Sequence, residues 1–116
     1  MLFTDPVVNA WFAGVQVASR EEFEEGMLQN LDGYRSRGLQ AKHAAEIRVT
    51  PIDGVHTVAD VTWTFRYRRS DGTEIPYQSS IAYLVQVRDG VARIFGWLIG
   101  RDSRPDLTRM GVIHQG

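Results

Sequence analysis

The histidines are the first residues to consider for chemistry, because imidazole serves both as a metal ligand and as a general acid or base. His43, His56 and His114 are far apart in the chain and lack the close spacing typical of a metal site. The chain has no cysteine, which excludes disulfides, thiolate metal sites and cysteine nucleophiles. It also has no glycine-rich phosphate loop and no Gly-x-Ser-x-Gly elbow. We therefore predict neither a bound metal nor a cofactor.

Enclosure of an apolar small molecule is the other chemistry that the residue types indicate. Trp63, Phe65, Tyr77 and Trp97 are large aromatic residues predicted to share one face of a sheet. Together with Ile81 they are our candidates for the lining of a ligand pocket. The same side chains would also form part of the core, so the two roles overlap.

A long stretch of alternating apolar and polar residues positions these side chains. Two X-Asp-Gly triplets divide it into strands, since glycine accepts the positive φ that a hairpin turn requires. At the first triplet, a three-residue loop with Gly72 in the left-handed conformation places Phe65 opposite Tyr77 and collects the aromatic residues on one face. The predicted strands are Val58–Arg69, Thr73–Val87 and Val91–Ile99, joined at Ser70-Asp71-Gly72 and Arg88-Asp89-Gly90.

The N-terminal residues carry two competing signals. A short strand, Leu2–Thr4, ends at Asp5-Pro6 and pairs with Gly14–Ala18 in the interpretation that we favour. The alternative is a helical turn over Pro6–Ala13, because proline is well tolerated at the first helical position.

One clear helix follows, and it begins with a capping box. The Ser19 hydroxyl and the Glu22 carboxylate can satisfy the first free N–H groups reciprocally. Gly38 is a good stop. The predicted inward stripe of this helix consists of Phe23, Met27, Leu31 and Tyr34, with Leu28 on its flank. A strand over Leu39–Thr50 comes next, with one predicted face made of Ala41, His43, Ala45, Ile47 and Val49.

The chain of 116 residues is predicted to be one domain, residues 1–116. Its class is α+β, with a curved antiparallel sheet packed on one main helix. The tail 101–116 lacks any period and is predicted to be irregular, with Val112-Ile113 docking. A formal charge of −1 argues against nucleic acid and anionic membrane as partners. No apolar run is long enough to span a bilayer, so we expect a cytoplasmic protein.

This order of elements resembles the nuclear transport factor 2-like superfamily, which includes SnoaL-like and ketosteroid-isomerase-like proteins. The resemblance is carried by Gly14–Gly26 and by the run from Tyr67 through the two Asp-Gly turns to Trp97. It implies a cone-like half-barrel with a pocket between helix and sheet. Such proteins include isomerases, dehydratases, cyclases and transport factors. We therefore expect a small-molecule-binding domain; a cofactor-free isomerase, dehydratase or cyclase, or a protein-interaction module using the sheet face, are the alternatives.

Two catalytic candidates follow from the resemblance. Asp5-Pro6-Val7 is similar to the Asp-Pro segment that carries the general base in ketosteroid isomerases. Tyr83 falls near the position of their oxyanion donor, and a phenol can donate such a hydrogen bond. The alternatives are a cap or turn role for Asp5 and a core role for Tyr83. The second donor of those isomerases, a tyrosine on the first helix, has no counterpart here.

The beginning of the chain departs from the usual pattern. Members of the superfamily usually begin with one or two helices that close the cone, and this chain begins at what resembles their first strand. An open cone would expose large apolar side chains, each worth about 1.5–3 kcal/mol when buried. A lid formed by Asp5–Ala13 or by the tail would cover them, as would a second copy of the chain. We predict a homodimer with N-terminal or tail segments crossing between subunits.

Overall fold

A computed structural model describes residues 3–36, 38–69, 71–102 and 104–110. Its order of elements is that of an α+β fold, as predicted, with one six-stranded sheet that is not closed. None of the described helices is long and apolar enough to cross a membrane. The elements are β1 Phe3–Trp11, β2 Gly14–Ala18, α1 Arg20–Ser36, β3 Leu39–Pro51, β4 His56–Arg68, β5 Glu74–Arg88, β6 Val91–Ile99 and α2 Arg104–Arg109.

The sheet has the strand order β2-β1-β6-β5-β4-β3. Its pairs are antiparallel except for β1 and β6, which run parallel. The prediction of a wholly antiparallel sheet was therefore wrong at this pair. Because β1 and β6 lie at opposite ends of the chain, no local turn dictates their relative direction, and local patterns carry no signal for it.

The β4–β5 hairpin has the predicted register. Phe65 lies opposite Tyr77. The amide of Arg69 donates to the Thr73 carbonyl at 2.7 Å, and Gly72 has a φ of 88°. The three-residue loop is therefore confirmed, and it fixes which side chains share a face. We call the face that carries Val61, Phe65, Tyr77 and Tyr83 the inner face, and the opposite one the outer face.

An N-terminal hairpin is present, but Gly14–Ala18 pairs with Val7–Trp11 and not with the predicted segment Leu2–Thr4, so the predicted pairing was wrong. Strand β1 continues through Asp5 and Pro6 to Trp11, so the helical alternative over Pro6–Ala13 was wrong. The pairing of β1 with β6 shifts in register between Phe3 and Val8. Pro6 lies within this irregular segment, where its missing N–H breaks no regular ladder bond.

Helix α1 begins and ends as its sequence predicts. The Glu22 amide donates to the Ser19 hydroxyl at 3.2 Å, which is one half of the capping box. Phe23 is buried, whereas Leu28 on the flank is 64% exposed. Beyond the C-terminus, Gly38 has a φ of 103°, and a side chain there would meet the Arg68 carbonyl at 2.7 Å. These features set the inward stripe of α1 against the sheet.

Strand β3 does not keep the single predicted face. Lys42 lies opposite Phe65 and Ile47 lies opposite Val61, with a register shift between Ala44 and Glu46. Directly opposed residues share a face, so the irregularity moves Lys42 onto the inner face in the first half of the strand. The predicted alternation holds only for the second half. This change brings a cation to the inner face.

The tail was predicted to be irregular throughout, and this prediction was wrong. Residues 104–109 form helix α2, and Leu107 on it is only 1% exposed. The predicted docking of Val112-Ile113 lies outside the described residues. Helix α2 thus packs over the inner face of its own chain, which for this described part of the tail is the lid alternative to the predicted dimer.

The buried residues form two clusters on the inner face. One, the α1 core, consists of Phe3, Val7, Phe23, Val61, Tyr83 and Ile94. The other, the α2 core, consists of Leu39, Tyr67 and Leu107.

Candidate functional site

A cavity of about 440 Å³ lies between the inner face, α1 and α2. Its volume is in the range typical of small-molecule sites. Eight of the twelve aromatic residues of the chain border it. They come from β1, α1, β4, β5 and β6 and from the β1–β2 turn, so the cavity depends on the whole fold.

Most of the residues predicted to line a pocket border this cavity. Phe65, Tyr77, Ile81 and Trp97 do so. Trp63 does not, although it lies on the inner face as predicted. Its indole nitrogen instead donates to the hydroxyl of Tyr83 at 3.2 Å. Trp63 therefore supports a cavity residue and is not itself part of the wall.

Tyr83 borders the cavity and is buried, with 8% of its surface exposed. Burial raises the pKa of Tyr83, and the hydrogen bond from Trp63 opposes that rise. The phenol is therefore protonated at neutral pH. Among the described residues, Trp63 is its only side-chain hydrogen-bond partner, and that bond uses an oxygen lone pair. The hydroxyl proton is left to donate to a group within the cavity.

Asp5 lies elsewhere. Its side chain is exposed and does not border the cavity. One carboxylate oxygen accepts the Arg20 amide at 3.1 Å, at the first turn of α1. A negative charge there is favoured by the helix dipole. Asp5 and Tyr83 therefore do not face each other across the cavity, as had been expected. Strand β1 continues past Asp5, and this places Asp5 beside the N-terminus of α1.

A polar pair at the β1–β2 end of the cavity was missed by the sequence analysis. Asn9 accepts a hydrogen bond from the indole nitrogen of Trp97, and Gln16 lies opposite Asn9 in the ladder. Both border the cavity. A polar residue at an inward position of the otherwise apolar run Val7–Trp11 was the available signal, and it becomes visible only once β1 is extended to Trp11.

A buried carboxylate, that of Asp106, joins several side chains at the α2 end of the cavity. Asp106 is 8% exposed and accepts hydrogen bonds from the Tyr77 hydroxyl at 2.9 Å and from Arg101 at 2.5 Å. Arg109 donates to its other oxygen. The hydrogen bond from Tyr77, together with the two guanidinium groups, lowers the pKa of Asp106. Burial first, and then the bond to Asp106, raises the pKa of Tyr77. These contacts hold α2 on the cavity wall.

The described residues contain no candidate metal site. No group of three or more histidine or acidic side chains suited to a metal is found among those residues. His56 contacts Asp53 at 2.9 Å and Gln86 at 3.1 Å, away from the cavity.

Comparison with known proteins finds matches by structure and none by sequence. No protein-family model matches the chain, and no curated protein matches it by sequence. A putative calcium/calmodulin-dependent protein kinase II association domain from Xanthomonas campestris superposes with a TM-score of 0.56 at 20% identity, covering 84% of this chain and 66% of that one. A putative polyketide cyclase from Xanthomonas campestris pv. campestris gives 0.60 at 18% identity, with 97% and 80% covered.

A third structure is described as a nuclear transport factor 2-like superfamily protein from Salmonella enterica. It gives a TM-score of 0.57 at 14% identity, covering 84% of this chain and 70% of that one. The chain thus spans about two thirds to four fifths of the length of these three structures. At such identities the likeness is one of fold.

Proposed function

Because the chain has the nuclear transport factor 2-like fold, we propose that it is a small-molecule-binding domain that holds an apolar or aromatic ligand in its cavity. The observation that carries this proposal is the cavity of about 440 Å³ walled by eight aromatic residues. Apolar surface favours a ligand of the same character, and a few polar groups orient it. Tyr83, Asn9 and Gln16 are such groups.

Two neighbouring serines allow a direct test. Ser79 borders the cavity, whereas Ser80 lies on the outer face opposite Thr62. The neutral fluorescent probe N-phenyl-1-naphthylamine is titrated into the wild type, Ser79→Phe and Ser80→Phe. We expect saturable binding to the wild type and to Ser80→Phe, and a loss of about tenfold or more in Ser79→Phe, because the new ring fills the cavity. Equal binding by all three, or none by the wild type, contradicts the proposal.

An enzymatic version of the proposal is favoured by the free hydroxyl proton of Tyr83. A phenol in apolar surroundings can stabilise a developing oxyanion, as an isomerase, dehydratase or cyclase without cofactor requires. One structural neighbour is described as a putative polyketide cyclase. Asp5 is proposed as the base, which requires its carboxylate to leave the Arg20 amide and approach the cavity.

Deuterium exchange at the α-carbon of 2-tetralone tests this version. We expect exchange above the buffer rate in the wild type and a loss of roughly a hundredfold in Tyr83→Phe, since removing one oxyanion donor costs about that much. Tyr34→Phe, at another cavity tyrosine, is the matched control. Asp5→Asn lowers the rate only if Asp5 is the base. Exchange no faster than in buffer would remove the enzymatic version and leave ligand binding untouched.

Self-association is the third part of the proposal, and it rests on the outer face. Val17 lies opposite Val8, and Ala10 lies opposite both Val15 and Leu98, so these residues form one patch. Val15 is 71% exposed and Val17 is 61% exposed. The patch carries no charge, so two copies can meet there without like-charge repulsion. One neighbour is described as a putative association domain.

Sedimentation equilibrium at low micromolar concentration tests the homodimer. We expect a dimer mass for the wild type and for Ser80→Asp, which alters a polar part of the outer face. Val17→Asp buries a charge in the proposed interface and should give a monomer. A monomer mass for the wild type would contradict this part of the proposal.

A further inference from the structure

Lys42 is the only lysine in the chain, and it stands at the wall of the cavity. The irregularity in β3 turns it onto the inner face, opposite Phe65. Its ammonium nitrogen lies 4.9 Å from the centre of the Trp63 ring. The side chain is exposed, so the ammonium is accessible from solvent as well as from the cavity.

The cavity is basic although the chain as a whole is slightly acidic. Three cationic side chains border it, those of Lys42, Arg101 and Arg104, against one carboxylate, that of Asp102. The formal charge of the whole chain is −1. The positive lining is therefore a local property of the cavity.

The two arginines already have carboxylate partners. Arg104 binds Asp102 at 2.9 Å, and Arg101 binds Asp106 at 2.5 Å. No carboxylate of the described residues lies within 4.0 Å of the Lys42 ammonium. Its hydrogen-bond donors remain available to a ligand.

From this arrangement we propose that the ligand carries an anionic group, a carboxylate, sulfonate or phosphate, which Lys42 recognises. The inference rests on the proposed ligand-binding function and narrows it to anionic aromatic molecules. The aromatic body of such a ligand packs among the aromatic walls, and its anion meets the ammonium at the rim. The Trp63 ring beside the ammonium excludes water from one side of the pair, which strengthens the attraction.

A matched pair of probes separates the anion from the aromatic body. 1-Anilinonaphthalene-8-sulfonate and N-phenyl-1-naphthylamine share one ring system and differ by a sulfonate. The quantity to compare is the preference, the Kd of the neutral probe divided by the Kd of the anionic probe. In Lys42→Met we expect this preference to fall by about threefold to fivefold, the upper part of the range expected of one exposed ion pair. The affinity for the neutral probe should stay within about twofold, since methionine keeps the apolar stem.

Two further variants complete the design. Arg48→Met removes the same unit of charge from the same strand, at an exposed residue that does not border the cavity. It should leave the preference unchanged. Lys42→Arg keeps the charge and should restore most of the preference.

Each outcome bears on one of the two proposals. An unchanged preference in Lys42→Met, or an equal fall in Arg48→Met, overturns the role of Lys42 while the binding function stands. A parallel loss of both probes in Lys42→Met also overturns it, because Lys42 would then serve only to cover Trp63. If neither probe binds the wild type, the binding function itself fails.

Discussion

Two regions beside the cavity, which we call the α1 end and the α2 end, are held together by different kinds of contact. At the α1 end, Phe23 packs edge-on against Phe3 and Trp97, with ring centres 5.1 and 5.0 Å apart. At the α2 end, a six-residue helix is held by Leu107 and by the carboxylate of Asp106. Apolar packing is nearly insensitive to pH and salt, whereas a charged cluster responds to both. The two ends should therefore open under different conditions.

The largest effect is expected at the α1 end. Phe23→Ala removes a buried ring from the α1 core and should lower the free energy of unfolding by about 3–5 kcal/mol. Leu28→Ala, on the exposed flank of the same helix, should change it by no more than about 0.5 kcal/mol. Urea unfolding measures both. Similar losses in the two variants would show that the packing of Phe23 does not hold α1 on the sheet.

The same contrast explains how far the sequence could predict the fold. Helix α1 was predictable because a capping box marks its start and its stripe recurs over about three turns. Helix α2 has six residues, too few for a period to show. Its charge cluster joins Tyr77 to Asp106, which are 29 residues apart. No local pattern reveals such a partner.

The candidate site likewise contains residues whose positions the sequence predicted and residues whose positions it did not. The turn at Gly72 fixed the β4–β5 register, and with it the inward positions of Phe65, Tyr77 and Ile81. Lys42 was missed because an irregularity in β3 depends on how that strand meets β4. Asp5 was expected near the cavity from a short motif, but the length of β1 decides where it lies.

The second prediction concerns the packing at the α2 end. Leu107→Ala should cost about 2–4 kcal/mol if α2 opens only with the whole fold. If α2 opens on its own, the loss of stability is detected first as faster amide hydrogen exchange in residues 104–110, while exchange in α1 is unaffected. Thr108→Ala on the same helix is the control. Exchange that rises equally in α1 and α2 would contradict separate closure of the two ends.

The third prediction uses the pH dependence of Asp106. Its pKa is lowered in the folded chain, so its contribution is complete above the unfolded value of about 3.9 and is lost as pH falls through the folded value. Amide exchange in α2 of the wild type should therefore show more opening as the pH falls below about 4, relative to α1. In Asp106→Asn this change should vanish, and α2 should already be more open at neutral pH.

A turn residue provides the control for that experiment. Hydrogen bonds from Thr73 lower the pKa of Asp71, far from α2. Asp71→Asn should therefore leave α2 exchange and its pH dependence unchanged. A pH response of α2 that survives in Asp106→Asn would assign the response to another group.

The smallest effect is expected from salt. The side chains of Arg101 and Arg109 are 70% and 71% exposed, so dissolved ions can reach the guanidinium groups, while the Asp106 side chain is only 10% exposed. Raising NaCl from about 0.1 M to about 1 M shortens the Debye length from ~10 Å to ~3 Å. The direct contacts are within hydrogen-bond distance and are screened little, so we expect opening of α2 to rise by no more than about twofold. Exchange around Phe23 in α1, measured in the same sample, serves as the reference because the contacts of that ring are apolar. Asp106→Asn should abolish the salt response, since the arginines then have no charge to hold them on α2. A salt response of equal size in α1 and α2, or one that persists in Asp106→Asn, would mean that the two ends do not differ in the way their contacts indicate.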